Sequence, residues 1–495
     1  MSPYPRVTIA GIRGGGGKTT LSLAVIAALR RLRGMAVTPF KKGPDYIDAG
    51  WLSSAAQHPC YNLDPFLISK EKVLESFLAH FRGDAAVIEG NRGLFDGMDA
   101  EGSYSTAELS KLLQSPVVLI IDCTKMTRTA AAVVLGCMSL DREVRVAGVV
   151  LNRIAGSRHE SVVRASIEKY CGLPVVGAIP KLPAGDLPER HMGLTPHQEH
   201  PDTASALRLA EEVGAKYLDI DALVTIARSA EPLNGRNELC VMSNEVKDKT
   251  DDLSSAAHHG SRVTHHEIKI GIIRDAAFQF YYPENLEELE KRGAEVVDIN
   301  ALSDARLPEI DALYIGGGFP ETNAIGLARN EGFRNSVRAM AEEGLPVYAE
   351  CGGLMFLGES LLVGGAQHPM VGIFPLAFAM QKKPQAHGYT IVEADRENPF
   401  YPVGATLHGH EFHYSAVIGL GERSAVHTAF AMRRGEGIRD RRDGMVYKNV
   451  FATYTHIHAL GSPLWADGMI ARAKAWRARR DRAAISGQQG AVLNE

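Results

Sequence analysis

The feature that most constrains this chain is a short apolar run that breaks into glycine. Val7–Ala10 leads into Gly11-Ile12-Arg13-Gly14-Gly15-Gly16-Gly17-Lys18-Thr19-Thr20, and an apolar helical pattern follows over 19–33. Strand, glycine loop and helix in that order build a phosphate cradle. Glycines let backbone N–H groups turn inward around an anion, and the helix N-terminus adds a favourable dipole. Lys18 brings charge to the outer phosphate oxygens, and the Thr19 hydroxyl can ligate Mg2+. Four residues between the glycines would require glycine at position 12, which is Ile12; counted from Gly11 the gap is five. The segment from Arg13 also matches a deviant loop that usually opens with lysine. Gly14, Gly15, Gly16, Gly17, Lys18, Thr19 and Thr20 are the expected ATP contacts. A merely flexible turn would not explain Lys-Thr-Thr in register behind a strand.

The rest of the first half fits such a loop. Val37–Phe40, Ala85–Glu89, Val117–Asp122 and Val146–Asn152 read as buried strands, with helices expected at 70–81, 105–114, 126–140 and 158–170. Buried strands separated by helices predict an α/β fold with a parallel sheet and right-handed crossovers. Carboxyl ends of parallel strands share one crevice, so the acids there are candidates for the metal that a phosphate loop needs. Glu89 ends one strand and Asp45 follows another, and together with Thr19 they form the expected Mg2+ set. Lys41 or Lys42 could hold a phosphate or a carboxylate, with one of the two expected at the surface.

Composition changes after residue 230. Residues 231–267 are polar, histidine-rich and aperiodic, which reads as an interdomain linker. His258–His259 and His265–His266 have no acidic or cysteine partner at ligand spacing, so solvated linker is preferred over a metal site. A second α/β pattern opens at Ile268, with strands expected at 268–273, 295–299, 311–315 and 346–349 and helices at 283–292, 331–343 and 353–360. Residues 369–455 look strand-rich. The last segment, 476–495, opens arginine-rich and reads as a frayed helix and tail.

The second half carries its own chemistry. Val347-Tyr-Ala-Glu350-Cys351-Gly352-Gly353 is a strand, a sharp turn and a helix start. A cysteine on such an elbow is lifted above the sheet, its thiol pKa is expected to be lowered by the helix N-terminus, and backbone N–H groups nearby can hold an oxyanion. Gly317 and Gly318 end a neighbouring strand and, with Gly352, form the expected oxyanion site. A Cys–His pair needs a histidine from elsewhere, and His456 and His458 share a face if their segment is a strand. The histidines of His408-Gly-His410-Glu411-Phe-His413 lack the spacing of a zinc helix; substrate contact or plain β-structure is the better reading.

Charge narrows the partners. Lys+Arg number 54 against 58 Asp+Glu, a formal net charge of −4, which offers no electrostatic reason to expect nucleic acid or an anionic membrane. Six cysteines without a CxxC pair fit a reducing cytoplasm, and no apolar run approaches the ~20 residues of a membrane span.

Together the motifs resemble one family. Pro39–Asp48 (PFKKGPDYID), Asn62–Pro65, Glu89–Gly97 (EGNRGLFDG), Ser105–Leu109, Leu151–Arg153, Glu189–Leu194, Arg274–Asn285, Gly316–Glu321, Glu350–Leu354, Gly409–Ser415 and Ala452–His458 are similar, in order, to cobyrinic acid a,c-diamide synthases over about residues 6–465. The resemblance implies a dethiobiotin-synthetase-like ATPase domain over 1–230 and the linker over 231–267. It then implies a class I glutamine amidotransferase domain of the cobyrinate-synthase type over 268–465, and a C-terminal helix and tail over 466–495. It implies Cys351 as nucleophile and His456 as its activating base, with the third acid of other class I amidotransferases missing. Ligands would be ATP, Mg2+, L-glutamine and a tetrapyrrole carboxylate, with Lys41, Tyr46 and Asp48 as substrate contacts; a homodimer is left open. Two departures bear on substrate. Arg13 with four glycines replaces the usual serine-containing loop, and Asn91-Arg92 replaces a small or apolar pair. They leave sirohaem or another modified sirohydrochlorin as an alternative to cobyrinate. From another class, a deviant-loop switch ATPase would need neither Cys351 nor the second half.

Overall fold

The apolar runs of the first half become seven parallel strands: β1 Arg6–Gly11, β2 Val37–Lys42, β3 Tyr61–Leu63, β4 Ala85–Glu89, β5 Val117–Asp122, β6 Val146–Ile154 and β7 Val175–Pro180. They lie in the order β3-β2-β4-β1-β5-β6-β7. This is a computed structural model, and it describes residues 4–182, 189–190, 193–194, 202–233, 268–421 and 425–492. From residue 234 the stretch read as linker, with both histidine pairs, lies outside the described residues. Helices cover the sheet because β1, β2 and β4 are buried along their whole length and need apolar cover on both faces. Helix Lys18–Arg33 supplies much of it through Leu21, Leu23, Val25 and Ile26. The strand order reverses at β1, which has β4 on one side and β5 on the other. Ligands of open α/β sheets bind outside the carboxyl ends at such a switch point, and the glycine loop begins there. Helix Ile47–Ala56 and β3 were not read from the sequence, and β3 has only three residues; β7 falls in the stretch 172–230, where the pattern continues more weakly.

The described chain divides into two compact units, Met1–Pro65 with Ser69–Val263, and Phe66–Ile68 with Thr264–Glu495. The second is built on a ten-stranded sheet. Strands Ala294–Ile299, Ile268–Ile273, Ala312–Ile315, Val347–Glu350 and Val450–Thr453 run parallel in that order. The sheet continues antiparallel through Arg442–Tyr447, His427–Arg434, Ala386–Ala394, Thr406–His413 and His456–Ile457. Val450–Thr453 and His456–Ile457 are neighbours in sequence yet close opposite ends of this antiparallel part, so it curls round on itself.

The terminal helix departs from the sequence reading. It opens at Pro463, ahead of 466, and runs to Val492. Trp465, Ala466, Met469, Ile470, Ala473 and Trp476 are buried, and all but Trp476 share a cluster with Ile268, Ile270 and Ile272. Apolar spacing of three and four residues gives the helix one core face. Each large side chain so buried contributes about 1.5–3 kcal/mol. The segment is a wall of the core rather than an appendage. Among the described residues no helix is long and apolar enough to cross a membrane.

Candidate functional site

In the first unit the glycine loop turns on Gly15 (φ 66°) and Gly17 (φ 96°), conformations that side chains rarely adopt. A β-carbon on Gly17 would meet Asn152 Nδ2 at 2.4 Å, and that amide donates to Gly16 O at 3.1 Å. Asn152, at the end of β6, therefore fixes the loop from the neighbouring strand end. Lys18 Nζ donates to Arg13 O at 3.1 Å, closing the loop on itself. Burial and then Lys41 hold the Lys18 ammonium below its usual range. An ammonium so placed gains by meeting phosphate oxygens. Arg13, the residue in the deviant position, pairs with Asp122 at 3.0 Å, and Arg153 reaches the same carboxylate at 2.7 Å.

Beside the loop lies a buried charge cluster. Thr19 Oγ1 donates to Glu89 Oε1 at 2.8 Å, and Lys41 Nζ stands 2.7 Å from that oxygen and 2.8 Å from Asp48 Oδ2. Burial pulls the Lys41 ammonium down, but Asp48 and Glu89 outweigh it and raise it above its ordinary range. Asp45 Oδ1 accepts from Asp48 N at 2.7 Å. Burial and the nearby Asp48 carboxylate push its carboxyl up to about 7. Among the described residues Glu89 Oε2 is buried without a hydrogen-bond partner. An orphaned carboxylate oxygen next to a hydroxyl and a phosphate loop suits a divalent cation held by one or two carboxylates and nucleotide phosphates. Both lysines are buried, against the expectation that one would be at the surface: Lys42 pairs with the fully buried Asp64 at 3.6 Å. Tyr46 is half-buried at the cap of helix Ile47–Ala56.

In the second unit Cys351 sits at the elbow between strand Val347–Glu350 and helix Gly352–Leu357, with φ 46° and ψ −98°. Its N–H donates to Thr453 O at 2.7 Å, tying the elbow to the end of the adjacent parallel strand. The glycines around it have no room for a side chain. A β-carbon on Gly352 would meet Gly318 N at 3.0 Å, and one on Gly317 would meet His456 Cε1 at 2.5 Å. Cys351, Gly352, Gly317, Gly318 and His456 thus converge, although Gly317 and His456 lie far apart in sequence. Against the expectation of a thiol lowered by the helix N-terminus, burial and then the Glu321 carboxylate push the Cys351 thiol well above its usual range. The resting group is a thiol and needs a base to take its proton.

The two histidines left equivalent by sequence have different partners. His456 Nδ1 lies 3.4 Å from Glu350 Oε2, and its Cε1–Nε2 edge faces Gly317. His410 stacks on its ring at 4.9 Å between centroids. His458 is directed elsewhere: its Nε2 is 3.5 Å from Glu284 Oε1 and its ring packs on Tyr282. Glu350 is thus a fully buried carboxylate facing the His456 ring. The other histidines of the 408–413 run are engaged in packing, with His413 stacked on Tyr454 at 3.6 Å.

Sequence reasoning also missed Asp443. Its buried carboxylate accepts from Thr453 Oγ1 (2.6 Å), Tyr454 N (3.0 Å), Thr455 N (3.1 Å) and Thr455 Oγ1 (3.1 Å), and so shapes the link that delivers His456. The only local sign is an Asp-Gly pair, which reads as a turn.

With this geometry in hand, the comparisons with known proteins are specific. Residues 7–194 match the family described as CobQ/CobB/MinD/ParA nucleotide binding domain, and residues 269–464 match the CobB/CobQ-like glutamine amidotransferase domain. The first unit therefore carries a nucleotide-binding domain. A curated cobyrinate a,c-diamide synthase of Magnetococcus marinus is 41% identical over 480 residues, 96% of this chain and 98% of the relative. That of Archaeoglobus fulgidus is 41% identical over 470 residues, 94% and 96% of the two chains, and that of Listeria innocua is 38% identical over 461 residues, 92% and 97%.

Proposed function

We propose that this chain, which belongs to the cobyrinate a,c-diamide synthase family, amidates the a and c carboxylates of cobyrinate using ATP and ammonia drawn from glutamine. The observation that carries the reading is the presence, in one chain alike to those enzymes over nearly its whole length, of both reactive sets: Lys18, Thr19 and Glu89 in one unit, Cys351 and His456 in the other.

At the second unit the Cys351 thiol gives its proton to His456 Nε2 as sulfur bonds to the glutamine side-chain carbonyl carbon. The N–H groups of Gly318 and Gly352 are the donors proposed for the oxyanion. His456 returns the proton to the departing nitrogen, so ammonia leaves and a glutamyl thioester remains for water to cleave. At the first unit a bare carboxylate is a poor electrophile, so it is phosphorylated by ATP and ammonia then displaces phosphate. Gly14–Thr20 would cradle the phosphates, with Lys18 on the outer oxygens. Thr19, Glu89 and Asp45 would hold Mg2+, which neutralises charge on the phosphate oxygens when bound. Lys41, held between Asp48 and Glu89, and Tyr46 are the proposed carboxylate contacts.

The alternative substrate, sirohaem or another modified sirohydrochlorin, rests on the departures from the family pattern. Asn91, one of the two departures, packs on the loop after Lys42: a β-carbon on Gly43 would meet its Nδ2 at 2.8 Å. The deciding experiment incubates the protein with glutamine, ATP, Mg2+ and, in turn, cobyrinate, hydrogenobyrinate, sirohaem and nickel-sirohydrochlorin, and weighs the products. Two exchanges of hydroxyl for amino on cobyrinate alone are expected. Amidation of sirohaem with cobyrinate untouched would transfer the assignment to the second substrate.

A further inference from the structure

Glu350 is the residue immediately before the nucleophile, and it is fully buried. Its carboxylate accepts from Tyr314 OH at 3.1 Å and from Ile457 N at 3.2 Å, and lies 3.4 Å from His456 Nδ1. Among the described residues the imidazole is the only group in this set that can carry positive charge. A buried carboxylate without a cation is costly, so the arrangement is at its most favourable when His456 is protonated. That is the state His456 enters while Cys351 bonds to glutamine. The ring's two nitrogens are also divided, with Nδ1 toward Glu350 and the Nε2 edge toward Gly317. A hydrogen bond from Nδ1–H to Glu350 leaves Nε2 bare and able to accept the thiol proton. Of the neighbouring histidines, His410, stacked on the ring, is held neutral by burial and by the histidines around it, and His458 is turned to Glu284.

We propose that Glu350 is the positioning acid of a Cys351–His456–Glu350 triad, fixing the tautomer of His456 and stabilising its protonated form. The proposal rests on Cys351 and His456 being the glutaminase pair. It places the acid beside the nucleophile in sequence, where the family resemblance implies none. A purely structural Glu350, tying Ile457 and Tyr314 together, would explain the two shorter contacts and nothing about His456.

The test uses the full chain. Glu350→Gln should lower the glutaminase kcat by about 10²–10⁴-fold, because an amide favours the wrong tautomer, while the KM for glutamine stays within about threefold. Near-UV circular dichroism checks the fold of the variant. 15N NMR of histidine-labelled protein, with His456 assigned by its absence in His456→Gln, should show Nδ1 protonated and Nε2 bare in the parent and the reverse in Glu350→Gln. A parent with Nε2 protonated would overturn the proposal by itself, even if the variant does not fold. So would a folded Glu350→Gln whose kcat and tautomer match the parent. Cys351→Ser and His456→Ala separate the underlying reading: glutaminase surviving in either would sink the pair itself. Loss in both, with Glu350→Gln unaffected, would remove only the triad.

Discussion

Lys41 Nζ stands 2.7 Å from Glu89 Oε1, and the register of β2 with β4 places the two residues side by side at the strand ends. Both side chains are almost wholly inaccessible, at 2% and 0%. Removing one partner leaves the other charge buried and unpaired. Lys41→Met should cost about 3–5 kcal/mol in urea unfolding of the first unit, and adding Glu89→Gln should restore much of it. Equal losses in the single and double variants would mean that the pair is not the unit that matters.

The Asp45 carboxyl gives this unit a pH dependence of unusual sign. Its folded value is about 7 against an ordinary 3.8. Between those limits the folded protein holds a proton that the unfolded chain releases. The stabilisation is therefore fully present below about pH 4 and lost as pH rises to about 7, at no more than about 1.4 kcal/mol per pH unit. Asp45→Asn should flatten that slope in denaturation curves recorded at several pH values. Parallel slopes in the two proteins would contradict the assignment.

Gly317→Ala tests the crowding at the second site. The added methyl would need the space occupied by His456 Cε1, 2.5 Å away. The ring would be displaced from its place between Glu350 and the glycine loop. Misplacing a catalytic group by about 1 Å can cost about 10²-fold in rate, so glutaminase activity should fall by that order. ATP binding, measured by calorimetry, should not change. Full glutaminase activity would show that the ring does not work from its observed position.

Cys351 holds a backbone conformation, φ 46° and ψ −98°, that non-glycine residues rarely adopt. Such strain costs on the order of 1–3 kcal/mol. Cys351→Gly should be at least as stable as Cys351→Ala, reversing the ~0.5–1 kcal/mol deficit glycine ordinarily carries. Both should be inactive toward glutamine. Melting temperatures of the two variants decide the matter, and a lower value for the glycine form would show that the elbow is relaxed.

What sequence made legible here was local. Lys18 and Thr19 follow a strand and a glycine loop, and Cys351 sits between a strand and two glycines, so each announces its role within a dozen residues. The His456–His458 ambiguity had no local solution, because their partners Glu350 and Glu284 lie more than a hundred residues away in the chain. Glu350 was visible as a strand-end acid beside the cysteine, yet nothing nearby shows which histidine it meets. One of Lys41 and Lys42 was expected at the surface because buried partners are not local in sequence: Asp64, which pairs with Lys42, arrives from another strand end. The terminal helix reads short at its start because its arginine-rich stretch masks the apolar period, whose anchors are Trp465 and Trp476.

That helix has a consequence for the order of events at the ribosome. The strand that opens the second unit, Ile268–Ile273, is covered by Trp465, Met469 and Ile470. The first strand synthesised waits for the last helix. At ~5–20 residues per second, that interval is on the order of tens of seconds. During it the nascent sheet presents an isoleucine face without the cover of that helix.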